Sequence, residues 1–514
     1  MKRVILTSLM LAACMVAGAQ SFTVKNLKYK VNGTGTVALT GCSSQLSGIV
    51  QIPDKVSNGG TEYRVNVIKE RAFVGQTLFT AVYLPQEVDT IGQDAFYGCT
   101  GLIVATGLKK VDVCEAYAFA KTSLAQIKWD NVEMNSLGAG AFADCPKLRT
   151  IELPATLKKL PEGLLSGCTA LTALQIGAAV ESIDNRAFAD CSALTTVTLP
   201  ESVTTLGDEV FAEMTSLTEI QMPDGITKMG ASVFRGCTSL TAMTLPASLT
   251  TMGYGTFIGC TALKEVTLPS RLREIDDKFA FADCPSLEKI EINSGLYYKS
   301  IDGVLYNMTG NKIIAYPAAL SKTVHPTIKA TTQPFAPGAL IGCEMDRNLT
   351  LPAQLRTLPR EVMANTTGLR AILLSTRSSL IGIEERAFAH SKDLTYVFLP
   401  STLKTIDNAA FEGDDGLVDV IARMGTPPVI TDWTFSETAY KQTVLHTPTG
   451  KTEIYAQADG WKKFEQMMDD AATEVETLEE QGAKENETTY NLQGIRVEKP
   501  LRGVYVRGGK KIVY

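Results

Sequence analysis

The side chains best suited to chemistry are three histidines, and they are scattered along the chain. His325, His390 and His446 stand far apart, and no HExxH, Walker A or GxSxG motif accompanies them. Catalysis needs acids, bases, nucleophiles or metal ligands that are held in fixed positions. The sequence therefore predicts no catalytic residue, no metal site, no cofactor and no enzymatic activity.

Cysteines form a second chemical series because they recur at one position of a repeat: Cys99, Cys145, Cys168, Cys191, Cys237, Cys260, Cys284 and Cys343. Metal binding or redox work is one interpretation, but no CxxC motif or Cys/His grouping supports it. Thr122, Met214 and Ser391 take the same position elsewhere, which favours small buried side chains packed inside each turn. Disulfides between neighbouring turns stay open at this point.

The repeat that carries these cysteines has a period of about 23 residues. Its 14 units are marked by Phe73, Phe96, Phe119, Phe142, Leu165, Phe188, Phe211, Phe234, Phe257, Phe281, Leu340, Met363, Phe388 and Phe411. Apolar residues such as Val197 and Leu199 alternate with polar ones, which predicts a strand with one buried face. A proline such as Pro200 follows and ends the strand. Because no unit can bury its apolar side alone, the units are expected to stack with the phenylalanines inside.

The two ends of the chain predict its compartment. Residues 1–19 have a basic start, an apolar stretch and small residues before Gln20, as in a secretory signal. Cleavage before Gln20 and retention of an acylated Cys14 as a lipoprotein are both open. No later segment reaches the roughly 18 to 20 apolar residues of a transmembrane span. We expect an extracytoplasmic protein at the cell surface or secreted, and its net charge of -6 gives no reason to expect nucleic acid as a partner.

The unit Leu-x-x-Val-x-Leu-Pro-x-x-Leu-x-x-Ile-Gly-x-x-Ala-Phe-x-x-Cys, as seen in residues 194–214 and 240–260, resembles the BspA-like leucine-rich repeats of bacterial surface proteins. The resemblance covers most of residues 65–465. It implies a β-rich leucine-rich-repeat solenoid of about 14 coils that is capped at both ends and displayed outside the cell. It also implies adhesion to host or bacterial macromolecules, but the fold names no ligand.

Further segments are similar to other parts of that family, and together they predict the domain organisation. A signal peptide (1–19), a β-rich N-terminal cap (20–66), repeats (67–292), an inserted hairpin (293–338), repeats (339–425), a C-terminal cap (426–464), an acidic helical extension or linker (465–488) and a β tail (489–514) follow one another. The tail resembles the sorting domains of the type IX secretion route but is shorter. A sorting signal and a plain structural end cap are both open.

The outward residue of each strand defines a candidate ligand face: Glu152, Gln175, Thr198, Gln221, Thr244, Thr267 and Glu291. Stacked repeats align such side chains into an extended surface, and this one is small, polar and nearly uncharged in its middle. The β propensity of threonine accounts equally well for any single position.

Near the end of the repeats the outward position becomes apolar. The candidate apolar patch consists of Leu373, Tyr396, Phe398, Asp419 and Ile421. Exposed apolar residues in register on adjacent coils would form an interaction site. In the alternative interpretation, the inserted hairpin or the cap around Trp433 and Trp461 covers them.

These patterns predict a non-enzymatic adhesion protein that binds an extracellular protein of host or bacterial origin. A carbohydrate-binding surface module is the first alternative, although the polar row lacks the aromatic side chains on which sugars usually stack. A structural surface component that associates with copies of itself is the second alternative.

Overall fold

The computed structural model of the chain describes residues 20–129, 134, 136–276, 279–331, 333–374 and 377–470, together with the strands at 489–491, 504–507 and 510–513. The predicted signal segment, most of the acidic segment and parts of the tail lie outside these described residues.

The chain folds as a β-solenoid of about 17 turns spaced by about 23 residues, with little helix. It divides into two compact units. Unit 1 runs to Leu157 and includes Gly163–Gln175, and unit 2 comprises Lys158–Glu162 and the residues from Ile176 onward.

Most strands are short, because each turn of the solenoid adds only a few residues to each sheet. The first twenty are β1 (Ser21–Val24), β2 (Leu27–Gly33), β3 (Thr36–Cys42), β4 (Ser47–Gln51), β5 (Lys55–Asn58), β6 (Thr61–Ile68), β7 (Leu78–Tyr83), β8 (Thr90–Ile91), β9 (Val104–Thr106), β10 (Val113–Cys114), β11 (Gln126–Ile127), β12 (Ser136–Leu137), β13 (Thr150–Glu152), β14 (Lys159–Leu160), β15 (Ala173–Gln175), β16 (Ser182–Ile183), β17 (Thr196–Thr198), β18 (Thr205–Leu206), β19 (Glu219–Gln221) and β20 (Lys228–Met229).

The later strands are β21 (Ala242–Thr244), β22 (Thr251–Met252), β23 (Glu265–Leu268), β24 (Glu274–Ile275), β25 (Lys289–Ile292), β26 (Tyr298–Ile301), β27 (Val304–Asn307), β28 (Ile313–Ala315), β29 (Asn348–Leu351), β30 (Thr357–Leu358), β31 (Ala371–Leu374), β32 (Gly382–Ile383), β33 (Tyr396–Leu399), β34 (Thr405–Ile406), β35 (Asp419–Ala422), β36 (Val444–Pro448), β37 (Gln466–Asp470), β38 (Thr489–Asn491), β39 (Val504–Arg507) and β40 (Lys510–Val513). The α-helices are α1 (Ala318–Ser321), α2 (Glu437–Gln442) and α3 (Thr452–Gln457), and two 3-10 helices span Leu108–Lys110 and Trp461–Lys463.

Two parallel ladders run along unit 2, and one coil shows how the sequence builds them. In β17 Val197 is buried and its neighbours are exposed, so alternation places one side chain inside. The strand pairs in parallel with β19, and Thr196 faces Glu219 in the register. After the turn at Pro200 the chain forms β18, which pairs with β16 and β20 in a second sheet. This coil thus contributes one strand to each of two parallel sheets.

Unit 1 follows the same plan behind an N-terminal cap. Its sheets have the strand orders β1-β2-β3-β6-β8-β10-β12, β4-β7-β9 and β11-β13-β15, and β5 pairs with β6. The first hairpin, between β1 and β2, is antiparallel, whereas the coil strands β8, β10 and β12 pair in parallel. The cap therefore changes into repeat geometry at β6, which pairs antiparallel with β5 and parallel with β8.

The phenylalanines stack inside each unit, which confirms this prediction for the core. In unit 1 the rings of Phe73 and Phe96 lie 5.0 Å apart at 7°. In unit 2 Phe211 and Phe234 lie 5.6 Å apart at 13°, and the stack reaches Phe281. The rings from Phe73 to Phe257 are buried, and each packs against the ring of a neighbouring coil, whereas Phe281 at the end of the stack is half-buried.

The recurring cysteine thiols donate hydrogen bonds to the backbone of the preceding coil. Sγ of Cys99 lies 3.0 Å from the carbonyl oxygen of Phe73, and Sγ of Cys237 lies 3.2 Å from that of Phe211. No disulfide joins the ten cysteines among the described residues. Burial raises the pKa of Cys99 and of Cys237 to about 12. These thiols are packing groups of the turn.

The coil count of 14 was too low, because the ends of the solenoid lack the repeat's sequence marks. Phe435 follows Phe411 and stacks on it at 5.0 Å, although no cysteine or proline pattern surrounds it. Strands β36 and β37 then continue the sheet β29-β31-β33-β35 in parallel. At the other end β4 pairs in parallel with β7 before the first marked coil.

The helical interpretation of residues 465–488 is wrong for its beginning. Residues 466–470 form β37, whose backbone pairs with β36 from Val444 to Pro448. The acidic composition suggested an exposed helix, but an open sheet edge offered backbone partners to this segment. Residues 471–488 lie outside the described part of the chain. In the tail β38, β39 and β40 form an antiparallel sheet.

An antiparallel sheet interrupts the repeats in unit 2. Strands β26, β27 and β28 pair in that order, and Ile290 N donates a 2.8 Å hydrogen bond to the carbonyl oxygen of Gly303 at the hairpin turn. Helix α1 follows, and Ala319 N donates to the carbonyl oxygen of Leu287 at 2.8 Å. The insertion is thus fastened to the coil that precedes it.

Candidate binding surfaces

The polar row of candidate ligand residues forms three separate lengths of sheet. In unit 1 Glu152 faces Gln175 across β13 and β15. In unit 2 Thr198 faces Gln221, and a third length joins Thr244, Thr267 and Glu291. The first five of these side chains are exposed, and Thr267 and Glu291 are half-buried.

Contacts along the row in unit 2 are mostly between neighbouring coils. Thr198 Oγ1 donates to Gln221 Oε1 at 3.4 Å. Lys289 Nζ lies 2.7 Å from Glu265 and 3.2 Å from Glu291, so it neutralises two carboxylates on the outward face. The row in unit 2 is therefore a polar surface, and at its end the carboxylate of Glu291 is paired with Lys289.

The candidate apolar patch is assembled on the outward face of the sheet β29-β31-β33-β35-β36-β37. Tyr396 faces Asp419 in the register, and Phe398 faces Ile421. Tyr396 and Ile421 pack with Ala371 in one cluster, and Leu373 and Phe398 pack against it. The five predicted residues therefore lie on adjacent strands.

Of the two interpretations that the sequence left open, the exposed one is wrong for Tyr396 and Ile421, since each is only 5% exposed. Ile421 is buried because β36 and β37 extend the sheet beyond it, and its register neighbours are Phe398 and His446. Leu373, Phe398 and Asp419 are half-buried. The accessible part of the patch therefore consists of Leu373, Phe398 and Asp419. Leu373 and Phe398 pack against the buried Tyr396 and Ile421.

The cap tryptophans take different positions. Trp461 is fully buried, and its Nε1 donates a 2.7 Å hydrogen bond to the carbonyl oxygen of Pro428. Its ring packs with Tyr455 and Phe464. Trp433, in contrast, is 72% exposed.

Charged groups border the apolar patch. Asp419 Oδ1 lies 2.8 Å from His446 Nε2, and both side chains are 20% exposed. The guanidinium of Arg423 lies 5.8 Å from the centre of the Phe398 ring, within the range of a cation–π contact. The next outward side chain, Met468, is 49% exposed. The patch therefore combines an aromatic ring, aliphatic groups and an arginine.

A charged groove of about 330 Å³ lies at the start of the same strands, lined by His325, Asp346, Arg347, Arg370 and Asp393 among others. The carbonyl oxygen of Arg347 accepts a hydrogen bond from Ala371 N at 2.9 Å, and that of Arg370 accepts one from Tyr396 N at 3.0 Å. The groove thus adjoins the residues that begin the patch strands.

Hydrogen bonds hold part of this groove in place. His325 Nδ1 lies 3.3 Å from the carbonyl oxygen of Glu344, and its Nε2 lies 3.8 Å from Asp346. Asp393 Oδ2 accepts a 2.8 Å hydrogen bond from Gly368 N. The repeat pattern did not predict the groove, although the sequence contains one signal: Arg347 and Arg370 each precede an outward strand at the repeat spacing.

The three histidines lie at separate places in unit 2. His325 lines the groove and His446 pairs with Asp419, whereas His390 occupies a left-handed turn with φ 60°. No group of three or more potential metal ligands occurs among the described residues. Within the same residues no helix is long and apolar enough to cross a membrane.

Short parallel strands that stack from turn to turn, a leucine-rich inward face and a stacked phenylalanine define a leucine-rich repeat solenoid. Six copies of the BspA type leucine-rich repeat region match residues 66–195, 181–303 and 321–458. The chain belongs to the BspA type leucine-rich repeat family.

Similar solved structures come from several bacteria. A leucine-rich repeat protein from Bacteroides ovatus is 19% identical with a TM-score of 0.49, and the match covers 87% of this chain and 99% of that one. A leucine-rich cell surface protein from Faecalibacterium prausnitzii is 21% identical with a TM-score of 0.37, and the match covers 88% and 95%. The pneumococcal vaccine antigen PcpA is 16% identical with a TM-score of 0.34, and the match covers 88% and 99%. No curated protein sequence matches the chain.

Proposed function

We propose that the protein is a non-enzymatic adhesin that acts at the cell surface or after secretion. It binds an extracellular protein through the outward face of the sheet β29-β31-β33-β35-β36-β37. Membership of a leucine-rich repeat family supports the binding role, and one similar structure is described as a cell surface protein. The ligand protein is of host or bacterial origin.

The observation that carries the proposal is the accessible edge of the apolar patch, formed by Leu373 and Phe398 over the buried Tyr396 and Ile421. Protein interfaces are enriched in aromatic residues and arginine, and their strongest contacts are rigid anchors surrounded by polar groups. Phe398 under Arg423 fits this description because the cluster beneath holds the ring in place.

The adjoining groove supports the same surface. Arg347 and Arg370 supply cations, and Asp346 and Asp393 supply carboxylates beside them. Such mixed charge favours selection of partner and orientation more than raw affinity. The polar row from Thr198 to Gln221 and from Thr244 to Glu291 is proposed as a weaker contact area of unit 2, and Glu152 with Gln175 as its counterpart in unit 1.

A binding screen tests the proposal. The chain from residue 20 onward is immobilised and exposed in parallel to a panel of purified extracellular-matrix proteins and to a glycan array. We expect saturable binding to at least one protein that is weakened at least about tenfold by Leu373→Ser combined with Phe398→Ser. The matched control is Val429→Ser, because Val429 is an apolar side chain 82% exposed outside the patch. Strong glycan binding without protein binding would favour the carbohydrate-binding alternative instead.

The proposed location has its own test. Protease treatment of intact cells should digest the chain together with a known surface marker, and survival of the full-length chain would contradict surface display. Mass measurement of the N-terminus distinguishes a chain that starts at Gln20 from one with an acylated Cys14. Light scattering over a range of concentrations tests the self-associating alternative, which requires growth in mass.

A further inference from the structure

Unit 1 carries a second group of exposed apolar side chains. In the sheet β4-β7-β9 the register joins Ile49, Ala81 and Val104. Ile49 is 66% exposed and Val104 is 42% exposed, whereas Ala81 between them is buried. Tyr83 and Ile103 are each 41% exposed on or beside the same strands. Large apolar side chains that are exposed on neighbouring strands of one sheet are typical of an interaction surface.

A groove opens where this sheet ends. Among the described strands β9 is the last of its sheet, and β11 begins another, although both follow the repeat spacing. The groove beside them has a volume of about 460 Å³ and is lined by Ile103, Val104, Ala125 and Gln126 among others. Ala125 N donates a 3.2 Å hydrogen bond to the carbonyl oxygen of Ile103, so the two coils are joined at the start of β9, and no strand pairing joins them beyond it among the described residues. The strand edge of β9 therefore borders a cleft that is open to solvent.

The far side of the groove is cationic. Lys128 and Arg149 line it, and both are exposed. Neither forms an ion pair with another described residue, and no carboxylate is among the described residues that line the groove. Glu152 lies on β13, the strand that pairs with β11, and is not among the described residues that line the groove. The complement of this surface is a segment with apolar side chains and carboxylates.

We propose that this groove binds an extended acidic segment of a partner polypeptide. The segment lies along the edge of β9 from Val104 onward, with apolar side chains on Ile103 and Val104 and carboxylates beside Lys128 and Arg149. In strand addition of this kind, backbone hydrogen bonds supply affinity, and alternate side chains supply specificity. The site lies within unit 1 and does not depend on the function proposed for the patch in unit 2.

Fluorescence anisotropy with defined peptides tests the proposal on the chain from residue 20 onward. The probes are labelled octapeptides that alternate valine with glutamate, valine with lysine, or serine with glutamate. We expect the valine–glutamate peptide to bind at least about tenfold more tightly than either of the others, and added salt to weaken it. The double variant Lys128→Glu/Arg149→Glu should lose at least about tenfold in affinity.

Lys228→Glu is the matched control, because Lys228 is an exposed lysine on a different sheet. A thermal melt shows whether the double variant is folded, and Lys128→Gln/Arg149→Gln gives a milder second variant with the same direction of effect. The proposal is overturned if the valine–glutamate peptide does not bind, if the valine–lysine peptide binds equally well, or if folded charge-reversed protein keeps its affinity.

Discussion

The backbone N–H of Ser391 donates a 2.7 Å hydrogen bond to Oδ1 of Asp414, whose carboxyl group is fully buried where most coils place a cysteine thiol. Ser391 Oγ also bonds to Thr366 Oγ1 at 2.8 Å, so a short polar ladder replaces the cysteines in the last marked coils. The second carboxyl oxygen of Asp414 has no hydrogen-bond partner among the described residues. A buried polar atom in this state destabilises the fold.

Asp414 gives a pH-dependent prediction. Burial raises the pKa of its carboxyl group well above the ordinary value. Because the folded-state pKa lies above the unfolded one, the stabilising contribution of the protonated carboxyl is present at low pH and is lost as the pH rises through the folded-state pKa. Asp414→Cys should therefore raise the free energy of unfolding by about 1–3 kcal/mol at pH 8 and by less at pH 4. Urea unfolding at the two pH values measures this, and an equal or larger gain at pH 4 would contradict it.

The phenylalanine stack predicts a large and graded loss of stability. Phe211 is fully buried between Phe188 and Phe234. Phe211→Ala should lower the free energy of unfolding by about 3–5 kcal/mol, because it empties an aromatic core site. Phe211→Leu should cost less, since Leu165 fills the same repeat position. Chemical unfolding of both variants checks the order, and equal losses would argue against aromatic packing as the cause.

A left-handed residue lies two places before the phenylalanine position of the repeat, which Leu165 fills in this coil, and it predicts a backbone effect. Gly163 has φ 61°, and a Cβ atom there would meet nothing within 4 Å. Gly163→Ala should therefore cost about 1 kcal/mol through backbone conformation alone. Gly425→Ala is the control, because its Cβ also meets nothing and its φ lies outside the left-handed range. Thermal melts of both variants compare them, and an equal shift would remove the conformational explanation.

The buried thiols predict slow chemistry. Burial raises the pKa of Cys237 to about 12, so the thiolate is scarce at neutral pH as well as shielded. The folded chain should react with a thiol reagent such as DTNB far more slowly than the urea-unfolded chain. Cys42 is the internal comparison, because it is only half-buried. Rapid labelling of Cys237 in the folded chain, read by mass spectrometry of its peptide, would contradict the packing role.

Most of the fold could be predicted from the repeat. The buried positions that Phe211 and Val197 occupy return about every 23 residues, and stacked coils are the structure that buries all of them. The end of the solenoid could not be predicted in this way, because β36 and β37 join the sheet through backbone pairing and their side chains lack the repeat pattern. For the patch, alternation predicted that Phe398 and Ile421 share a face. It could not show that Ile421 is buried, because its burial depends on the flanking strands. The groove at Arg347 and Arg370 could not be predicted, because it also needs His325, which lies outside the repeats and reaches the groove only in the folded chain.

In the function that we propose, unit 2 binds its ligand through the outward face of the sheet β29-β31-β33-β35-β36-β37. Hydrogen–deuterium exchange of the chain, free and saturated with the matrix protein that binds most tightly in the screen, tests it most directly. We predict that ligand slows exchange in peptides that cover residues 371–374, 396–399 and 419–422, and leaves the peptide that covers β18 unchanged. Unaltered exchange in all three segments, with protection elsewhere in the saturated complex, would contradict the claim.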